Sequence, residues 1–322
     1  MNVRILFILP LVLASLSLYA RGNDEHTPPM AKNARVFAIV HPIIHPFFQE
    51  VSVGAEEEAA ALGATALIRG PERFDVHRQI EIVEELIRMK VDGIAIGPTD
   101  PRALTPVINK AIESGIMVIA LADDAPESKR ISFIGTDDYT AGRHMAEVLA
   151  RLVGYKGGVI VSMGVPTQYV LNVRLRGVRE VLRKYPDIHI IDLRSGEGDP
   201  DKTLSNIEKM VEAHPEFDAL IGIDAAAGPA AVIVWKAKGL KKPVITFDDM
   251  PENVQGIKDG KITMALVQKQ YLWGRLAIRR LNALCDGKTI PKLEYTGIID
   301  VTRENVSTYK ETYEYKSEGT YW

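Results

Sequence analysis

The stretch GIAIGPTDPRALTPVINKAIESGIMVIALADD (93–124) decides the fold class, because it reads as a strand, a helix and a second strand. Its two apolar runs, GIAIG and MVIAL, are continuous rather than alternating, which is typical of strands covered on both faces in a parallel sheet. Between them, Asp100 and Pro101 form a helix start signal and Gly115 an end signal. The stretch therefore predicts one strand–helix–strand unit with a right-handed crossover.

The same alternation runs through most of the chain. Further apolar runs of strand length are VFAIV (36–40), ATALI (64–68), GVIVSM (158–163), HIIDL (189–193), ALIGI (219–223), PVITF (243–247) and ITMALV (262–267). So many strands suit two sheets better than one, and 322 residues at roughly 150 per domain suggest two compact units. A short internal repeat supports two similar halves, since a predicted strand is followed by an Asp–Asp pair in both MVIALADD (117–124) and PVITFDD (243–249). The sequence predicts an α/β protein with two doubly wound parallel-sheet lobes.

Composition excludes several classes of protein. Apolar residues make up 46% and charged residues 25%, which excludes disordered, collagen-like and coiled-coil chains. The formal net charge is −3 and the basic residues are spread along the chain, so the footprint that nucleic acid requires is missing. Cys285 is the single cysteine, which excludes an intramolecular disulfide and a zinc site built on thiolates.

The N-terminal residues differ from everything after them. A basic residue precedes the apolar run ILFILPLVLASLSL (5–18), which is shorter than the roughly 20 residues of a bilayer span. The small Ala20 suits a cleavage site, so the pattern predicts a signal peptide over 1–20 and a polar linker over 21–33. An uncleaved anchor stays open, because Leu18 is bulky for a cleavage site. The pattern indicates an exported protein.

Carboxylates follow several predicted strands at their carboxyl ends, where ligands bind in open α/β sheets. Asp123 and Asp124 follow MVIAL, Asp224 follows ALIGI, and Asp248 follows VITF. Each alone also suits the N-cap of the next helix. Several at one sheet edge predict convergence on one cleft, where carboxylates can accept paired hydrogen bonds from the vicinal hydroxyls of a polyol.

The loop after the first strand, HPIIHPFFQE (41–50), adds aromatic rings. His41 and His45 would suit a metal only on a helix, and the proline after each disfavours that site. Phe47 and Phe48 follow at a predicted helix start, where adjacent side chains point about 100° apart. We therefore expect core packing for one of them, while an aromatic at this edge can stack on the C–H face of a sugar.

Arg174, in RLRG (174–177), offers a planar fork of donors for hydroxyl or ring oxygens, with a surface helix arginine as the alternative. Enzyme signatures are poor. The chain lacks GxSxG, HExxH and GxGxxG motifs, and GKT (287–289) follows a predicted helix rather than a strand, unlike a P-loop. No nucleophile–base pair accompanies the carboxylates. These observations give little support to an enzyme or a metal site, and we expect no catalytic residue, metal or cofactor.

Six blocks of sequence occur in a characteristic order and spacing. They are HPFFQEV (45–51), QIEIVEELIRMKVDGIAIGPTDPRAL (79–104), FIGTDDYTAG (133–142), RLRG (174–177), FDDMPENVQGIKDGKITMALVQ (247–268) and GIIDVTRENV (297–306). Through them, over about residues 34–310, the chain resembles the periplasmic sugar-binding proteins of the ribose-binding type, which feed ABC importers. The resemblance implies the type I periplasmic binding protein fold, in which three crossing segments form a hinge, here near 135–137, 269 and 297.

The resemblance also implies domain limits, ligand contacts and partners. The N-terminal lobe would comprise 34–135 and 269–297, the C-terminal lobe 136–268 and 298–312, and a tail 313–322. The ligand contacts would be His45, Phe47, Phe48, Asp123, Arg174, Asp224, Asp248 and Gln268. The implied partners are a small carbohydrate or polyol and the membrane permease of an ABC importer, and the implied location is the periplasm. We expect a monomer, since the protein must dock a transporter.

Departures from the ribose-binding pattern bear on the ligand. This chain has His45 and Asp224 where ribose binders carry Asn, and Ala122-Asp123 where they carry Asp-Arg. The altered set loses one arginine and gains carboxylates, which predicts a different sugar, another polyol or an amine-bearing sugar. Ribose binders also place an aromatic residue near 196–199, and Tyr169 is a candidate substitute for it.

Two other functions stay open. A receptor subunit that reports sugar to a membrane sensor kinase or chemoreceptor would share this fold and site. A secreted α/β enzyme would use Asp123, Asp224 or Asp248 as acid and base, although a nucleophile is missing. The effector domain of a repressor is disfavoured, because the predicted export signal stands where a DNA-binding unit would be.

Overall fold

The computed structural model describes residues 34–310, which form two six-stranded sheets with helices on both faces. The first sheet contains β1 (Val36–Val40), β2 (Thr65–Arg69), β3 (Gly93–Ile96), β4 (Met117–Leu121), β5 (Ser132–Gly135) and β11 (Leu293–Tyr295). The second sheet contains β6 (Gly157–Met163), β7 (Ile188–Ser195), β8 (Ala219–Gly222), β9 (Val244–Phe247), β10 (Met264–Val267) and β12 (Ile299–Val301). The helices are α1 (Gln49–Ala61), α2 (Val76–Met89), α3 (Pro101–Glu113), α4 (Asp138–Leu152), α5 (Tyr169–Leu182), α6 (Pro200–Ala213), α7 (Ala227–Lys238), α8 (Pro251–Lys258) and α9 (Gln270–Cys285).

The two sheets have equivalent strand orders, which are β11-β5-β4-β3-β1-β2 and β12-β10-β9-β8-β6-β7. Strands β4 and β9, which are each followed by an Asp–Asp pair, occupy equivalent positions in the two sheets. Separate apolar clusters fill both faces of each sheet. The predicted fold class, two doubly wound α/β lobes, is confirmed. We call the lobe around each sheet the first and the second lobe.

The predicted strands are all present, with ends that shift by a residue or two. The sequence reading missed β5, β11 and β12, which have only three or four residues each and show no extended apolar run. The last of these pairs antiparallel with β10, so the second sheet departs from the all-parallel expectation at its edge.

The chain passes between the sheets three times, after β5, after β10 and between β11 and β12. These are the places that the resemblance gives for the hinge segments. The lobe limits themselves, 34–135 with 269–297 and 136–268 with 298–312, stay a proposal. The predicted signal peptide (1–20), linker (21–33) and tail (313–322) lie outside the described residues. Within residues 34–310, no helix combines the length and the apolar character of a membrane span.

The helix that follows each crossing packs in the lobe that it enters. Helix α9 follows β10 of the second sheet but packs on α1 of the first lobe, where Trp273 is fully buried. Helix α4 follows β5 of the first sheet but packs on α5 of the second lobe, where Met145 is fully buried. The lobes therefore exchange one helix each.

Glycines allow the close contact between α1 and α9. A Cβ at Gly54 would lie 2.1 Å from the carbonyl oxygen of Tyr271, and a Cβ at Gly274 would lie 2.0 Å from that of Val51. Neither carbonyl can move alone, because each belongs to a helix backbone. These positions therefore fix the distance between the two helices.

Gly54→Ala should destabilise the protein, because its methyl group would push α9 away from α1. Without such a contact, alanine in place of glycine would stabilise a helix by up to about 1 kcal/mol. The sign of the change in stability therefore separates helix propensity from steric repulsion between α1 and α9. We expect a loss of about 1–3 kcal/mol in the free energy of unfolding, measured by urea titration. A neutral or stabilising result would show that α1 and α9 can separate at little cost.

Candidate ligand-binding site

A cavity lies between the carboxyl edges of the two sheets, and the space between its walls measures about 700 Å³ including its open mouth. All the contacts implied by the resemblance line it. They are His45, Phe47, Phe48, Asp123, Arg174, Asp224, Asp248 and Gln268. Their placement around one cavity is what a shared ligand site requires, and their role as ligand contacts stays a proposal.

Aromatic rings form the wall from the first lobe. Phe47 and Phe48 lie on a short 3-10 turn, with ring centroids 4.9 Å apart at an interplanar angle of 89°. Phe48 is buried and stacks on His41 at 4.7 Å, whereas Phe47 meets the edge of Trp273 at 5.9 Å. Phe48 belongs to the buried apolar cluster of the first lobe, as expected for one of the pair, and both rings also line the cavity.

Phe74 adds a third ring that the sequence reading missed. It lies in the loop between β2 and α2, and its centroid is 5.5 Å from that of His45. Its place at the carboxyl end of β2 is a signal that could have found it. The hypothesis that Tyr169 forms a substitute wall is wrong, because this side chain is 39% exposed and lines a separate groove.

His45 presents a neutral imidazole to the cavity. Burial lowers its pKa to about 4, so the ring is uncharged at neutral pH. Its Nδ1 atom is buried and has no hydrogen-bond partner. His41, in contrast, contacts the Pro42 carbonyl oxygen at 3.2 Å and Ser52 Oγ at 3.1 Å and does not line the cavity. The two histidines therefore have separate roles.

Asp123 connects the two lobes. Its Oδ1 accepts hydrogen bonds from the backbone N–H of Asp124 at 2.8 Å and from that of Val170, at the start of α5, at 3.1 Å. Gln168, the N-cap of α5, makes no side-chain capping bond, so Asp123 caps this helix from the other lobe. The second oxygen, Oδ2, is buried without a partner, and burial raises the pKa of Asp123 well above its usual range.

The second member of this Asp–Asp pair has a structural role. The Asp124 carboxylate forms a buried ion pair with Arg130, with an Nη2–Oδ2 distance of 2.7 Å. Asp124 therefore turns away from the cavity and fixes the loop that presents Asp123.

The second lobe contributes two carboxyl groups. Burial raises the pKa of Asp224 to about 6, and its Oδ1 is buried without a partner. Burial also raises the pKa of Asp248 to about 7, and the charges of Asp249 and Asp224 add to this shift. Oδ1 of Asp248 accepts from the side-chain amides of Gln268 at 3.0 Å and Gln270 at 3.3 Å. Neither carboxyl belongs to an N-cap residue.

Arg174 is 3% exposed, so the alternative of a surface arginine is wrong. Its Nε donates to Asp138 Oδ1 at 2.9 Å, and its Nη1 donates to the carbonyl oxygen of Ile223 at 2.5 Å. The guanidinium carbon lies 3.4 Å from the centroid of the Phe247 ring. The sequence reading missed Asp138, although FIGTDDYTAG contains it. Burial raises the pKa of Asp138 to about 6 against the opposing effect of Arg174.

Gln268 links the cavity to two of the crossings. Its Oε1 accepts from Thr136 Oγ1 at 2.7 Å, and its Nε2 donates to Asp248 Oδ1. Thr136 lies in the first crossing and Gln268 at the start of the second. A change at the hinge therefore reaches a cavity residue through two hydrogen bonds.

Asp248→Asn should alter the pH dependence of stability in the ligand-free protein. The pKa of Asp248 rises from 3.8 to about 7 on folding, so its contribution to stability is complete below about pH 4 and is lost as the pH rises through 7. The variant lacks this titration. We expect the difference in melting temperature, variant minus parent, to increase by several degrees from pH 5 to pH 8. Other buried groups titrate in both proteins, so a constant difference would contradict the shift at Asp248.

Residues 36–289 match the family described as "Periplasmic binding protein domain". The ribose import binding protein of Bacillus subtilis is 26% identical over 290 residues, which covers 87% of this chain and 94% of that protein. A D-ribose/D-allose-binding protein of Pseudomonas aeruginosa is 26% identical over 318 residues and covers 94% of this chain and 97% of its own. The resemblance to the ribose-binding type is confirmed.

Solved structures agree with these relatives. An ABC transporter solute-binding protein from Burkholderia graminis, in complex with D-arabinose, superposes with a TM-score of 0.84 at 32% identity and covers 87% of this chain and 99% of its own. A glucose-galactose binding protein from Geobacillus stearothermophilus gives a TM-score of 0.82 at 25% identity, with 85% and 99% covered. The similarity extends over both lobes.

Proposed function

We propose that this chain, which belongs to the periplasmic binding protein domain family, captures a small sugar or polyol between its lobes and delivers it to the permease of an ABC importer. The proteins it resembles are named for sugar binding and import, with ribose, allose and arabinose among the sugars. Their names favour import over the alternative of a subunit that reports to a sensor kinase or chemoreceptor.

One observation carries the proposal. Three buried polar atoms of the cavity residues have no hydrogen-bond partner, namely His45 Nδ1, Asp123 Oδ2 and Asp224 Oδ1. Buried polar groups in proteins are nearly always hydrogen-bonded, so these atoms are suited to the hydroxyls of a ligand. The rings of Phe47 and Phe74 offer apolar faces for the C–H groups of a sugar.

Closure of the lobes would turn binding into a signal for the permease. The Asp123–Val170 hydrogen bond and a second from Thr167 Oγ1 to the carbonyl oxygen of Thr99, 3.1 Å long, already join the lobes. A ligand that bonds to both walls favours this arrangement over an open one by its differential affinity. The closed rim of both lobes is then the surface for the membrane partner.

Capture of this kind requires no covalent chemistry and no cofactor. The alternative of an enzyme would use Asp123, Asp224 or Asp248 as acid and base, and turnover of a sugar by the purified protein would support it. We also propose export to the periplasm through the predicted signal peptide, and a monomer as the working form.

Calorimetry and thermal melting with a panel of sugars test the proposal. The panel contains D-ribose, D-allose, D-arabinose, D-xylose, xylitol and the common hexoses. A ligand at 100 times its Kd adds about 2.7 kcal/mol of stability, which raises the melting temperature by several degrees. We expect at least one such shift, with no turnover of the sugar. A folded protein that shifts with none of these sugars, nor with amino sugars, would contradict the proposal.

A further inference from the structure

The carboxyl groups on the cavity wall outnumber its positive charges. Among the described residues that line it, the carboxyl groups of Asp123, Asp224 and Asp248 face a single guanidinium, that of Arg174. Asp138, behind the wall, already forms a buried ion pair with this guanidinium. No lysine lines the cavity within residues 34–310, and His45 is neutral. Ionised carboxylates on this wall therefore lack a matching positive charge from the protein.

Unpartnered oxygens show where that charge is needed. Asp123 is 3% exposed, and its Oδ2 has no partner, while Asp224 has an unpartnered Oδ1. A carboxyl group in such a place either takes a proton or pairs with a cation. Asp248 differs, because two side-chain amides already donate to its Oδ1.

Asp224 is the best placed of the three to meet a cation. Its Oδ1 is buried without a partner, whereas Oδ1 of Asp123 already accepts two backbone N–H groups, and the charge of Asp224 contributes to the raised pKa of Asp248. A cation beside Asp224 would therefore lower the repulsion between these two carboxylates as well as pair with the first. A hydroxyl group would accomplish neither.

We propose, on the basis of the proposed function, that the preferred ligand is a small sugar or polyol that carries a protonated amine, and that the Asp224 carboxylate receives the ammonium group. The remaining hydroxyls bond to Arg174, Asp123 and Asp248, as for a neutral sugar. An ammonium group brings three donors and one positive charge, which suits a wall with unpartnered acceptors and excess negative charge.

Matched pairs of ligands that differ only by an amine in place of a hydroxyl test this inference. The pairs are D-glucosamine and D-glucose, D-galactosamine and D-galactose, D-mannosamine and D-mannose, and 1-amino-1-deoxy-D-arabinitol and D-arabinitol. Calorimetry at pH 7 measures each Kd, and the N-acetyl hexosamines serve as uncharged controls. We expect the amine to bind at least about 10-fold more tightly in one or more pairs and its N-acetyl form to lose that advantage.

Asp224→Asn keeps an acceptor oxygen and removes the charge. It should reduce the preference for the amine, measured as the ratio of the two Kd values within each pair, at least about 10-fold, whatever the change in affinity for the hydroxyl partner. Glu208→Gln makes the same change in net charge on the exposed face of α6 and should leave the preference unaltered. Should Asp224→Asn fail to fold, Asp123→Asn provides the second variant, with a smaller loss of preference expected.

The outcomes separate this inference from the proposed function. Neutral sugars that bind as tightly as their amines, or more tightly, would overturn the inference and leave sugar capture standing. An amine preference that survives in Asp224→Asn would overturn the assignment to Asp224. Binding of no member of any pair, and of no sugar in the wider panel, would overturn both.

Discussion

Arg174→Met should weaken sugar binding at least about 100-fold, which corresponds to about 2.7 kcal/mol. The guanidinium supplies the charged donors of the cavity wall, and each hydrogen bond to a charged group is worth about 1.5–3 kcal/mol. The variant also leaves the Asp138 carboxyl buried without its ion-pair partner. Removal of one member of a buried pair costs about 3–5 kcal/mol, so unfolding in urea should occur at a clearly lower concentration.

The double variant Arg174→Met/Asp138→Asn separates binding from stability. Because neither residue then carries a charge, most of the lost stability should return, while the affinity for sugar should stay low. Calorimetry and urea titration on the same preparations give both quantities. Parent-like affinity in the stable double variant would show that Arg174 acts only through the fold.

Asp123→Ala should weaken binding about 10- to 100-fold and shift the ligand-free protein towards an open arrangement. The substitution removes both the unpartnered Oδ2 and the cap that holds the first turn of α5 from the other lobe. Loss of a cap costs about 0.5–2 kcal/mol, enough to alter the balance between open and closed forms. Small-angle X-ray scattering of the ligand-free protein should show a larger radius of gyration than for the parent.

Asp123→Asn is the matched control, because its amide oxygen can still accept from the Val170 N–H. We expect this variant to scatter like the parent but to bind sugar more weakly, since a donor replaces the unpartnered oxygen. Equal scattering for the parent and both variants would show that the contact with α5 does not hold the lobes together.

The sequence predicted the carboxylates that follow regular strands, whereas Phe74 and Asp138 were missed. Asp123, Asp224 and Asp248 could be found because parallel strands bring their carboxyl ends to one edge. Phe74 lies in a loop without periodicity, so its place beyond the carboxyl end of β2 was the one signal for a cavity residue there. Asp138 resembles an ordinary first-turn acid of a helix, and only the packing of α4 on α5 brings it to Arg174.

The different roles of the two members of the Asp–Asp pair, one in the cavity and one in an ion pair, could not be predicted from the sequence either. Asp123 and Asp124 are adjacent and identical in type, yet Arg130 selects one of them for an ion pair. Ala122 adopts a left-handed conformation, with φ at 64°, directly before the pair and turns the chain there. This change of backbone direction decides which of the two neighbouring side chains faces the cavity. It could not be predicted, because alanine rarely adopts a left-handed conformation.

The exchange of helices sets the order in which the chain can acquire its structure during synthesis. Strands β1 to β5 emerge from the ribosome early, but the part of the first sheet that α9 covers, at β3, β4 and β5, stays uncovered until residue 285 has been made. Multidomain chains generally fold their N-terminal domain first. Here the first lobe is complete only when nearly the whole chain has been synthesised. The nascent chain therefore exposes apolar surface for a long interval, during which chaperones can bind it.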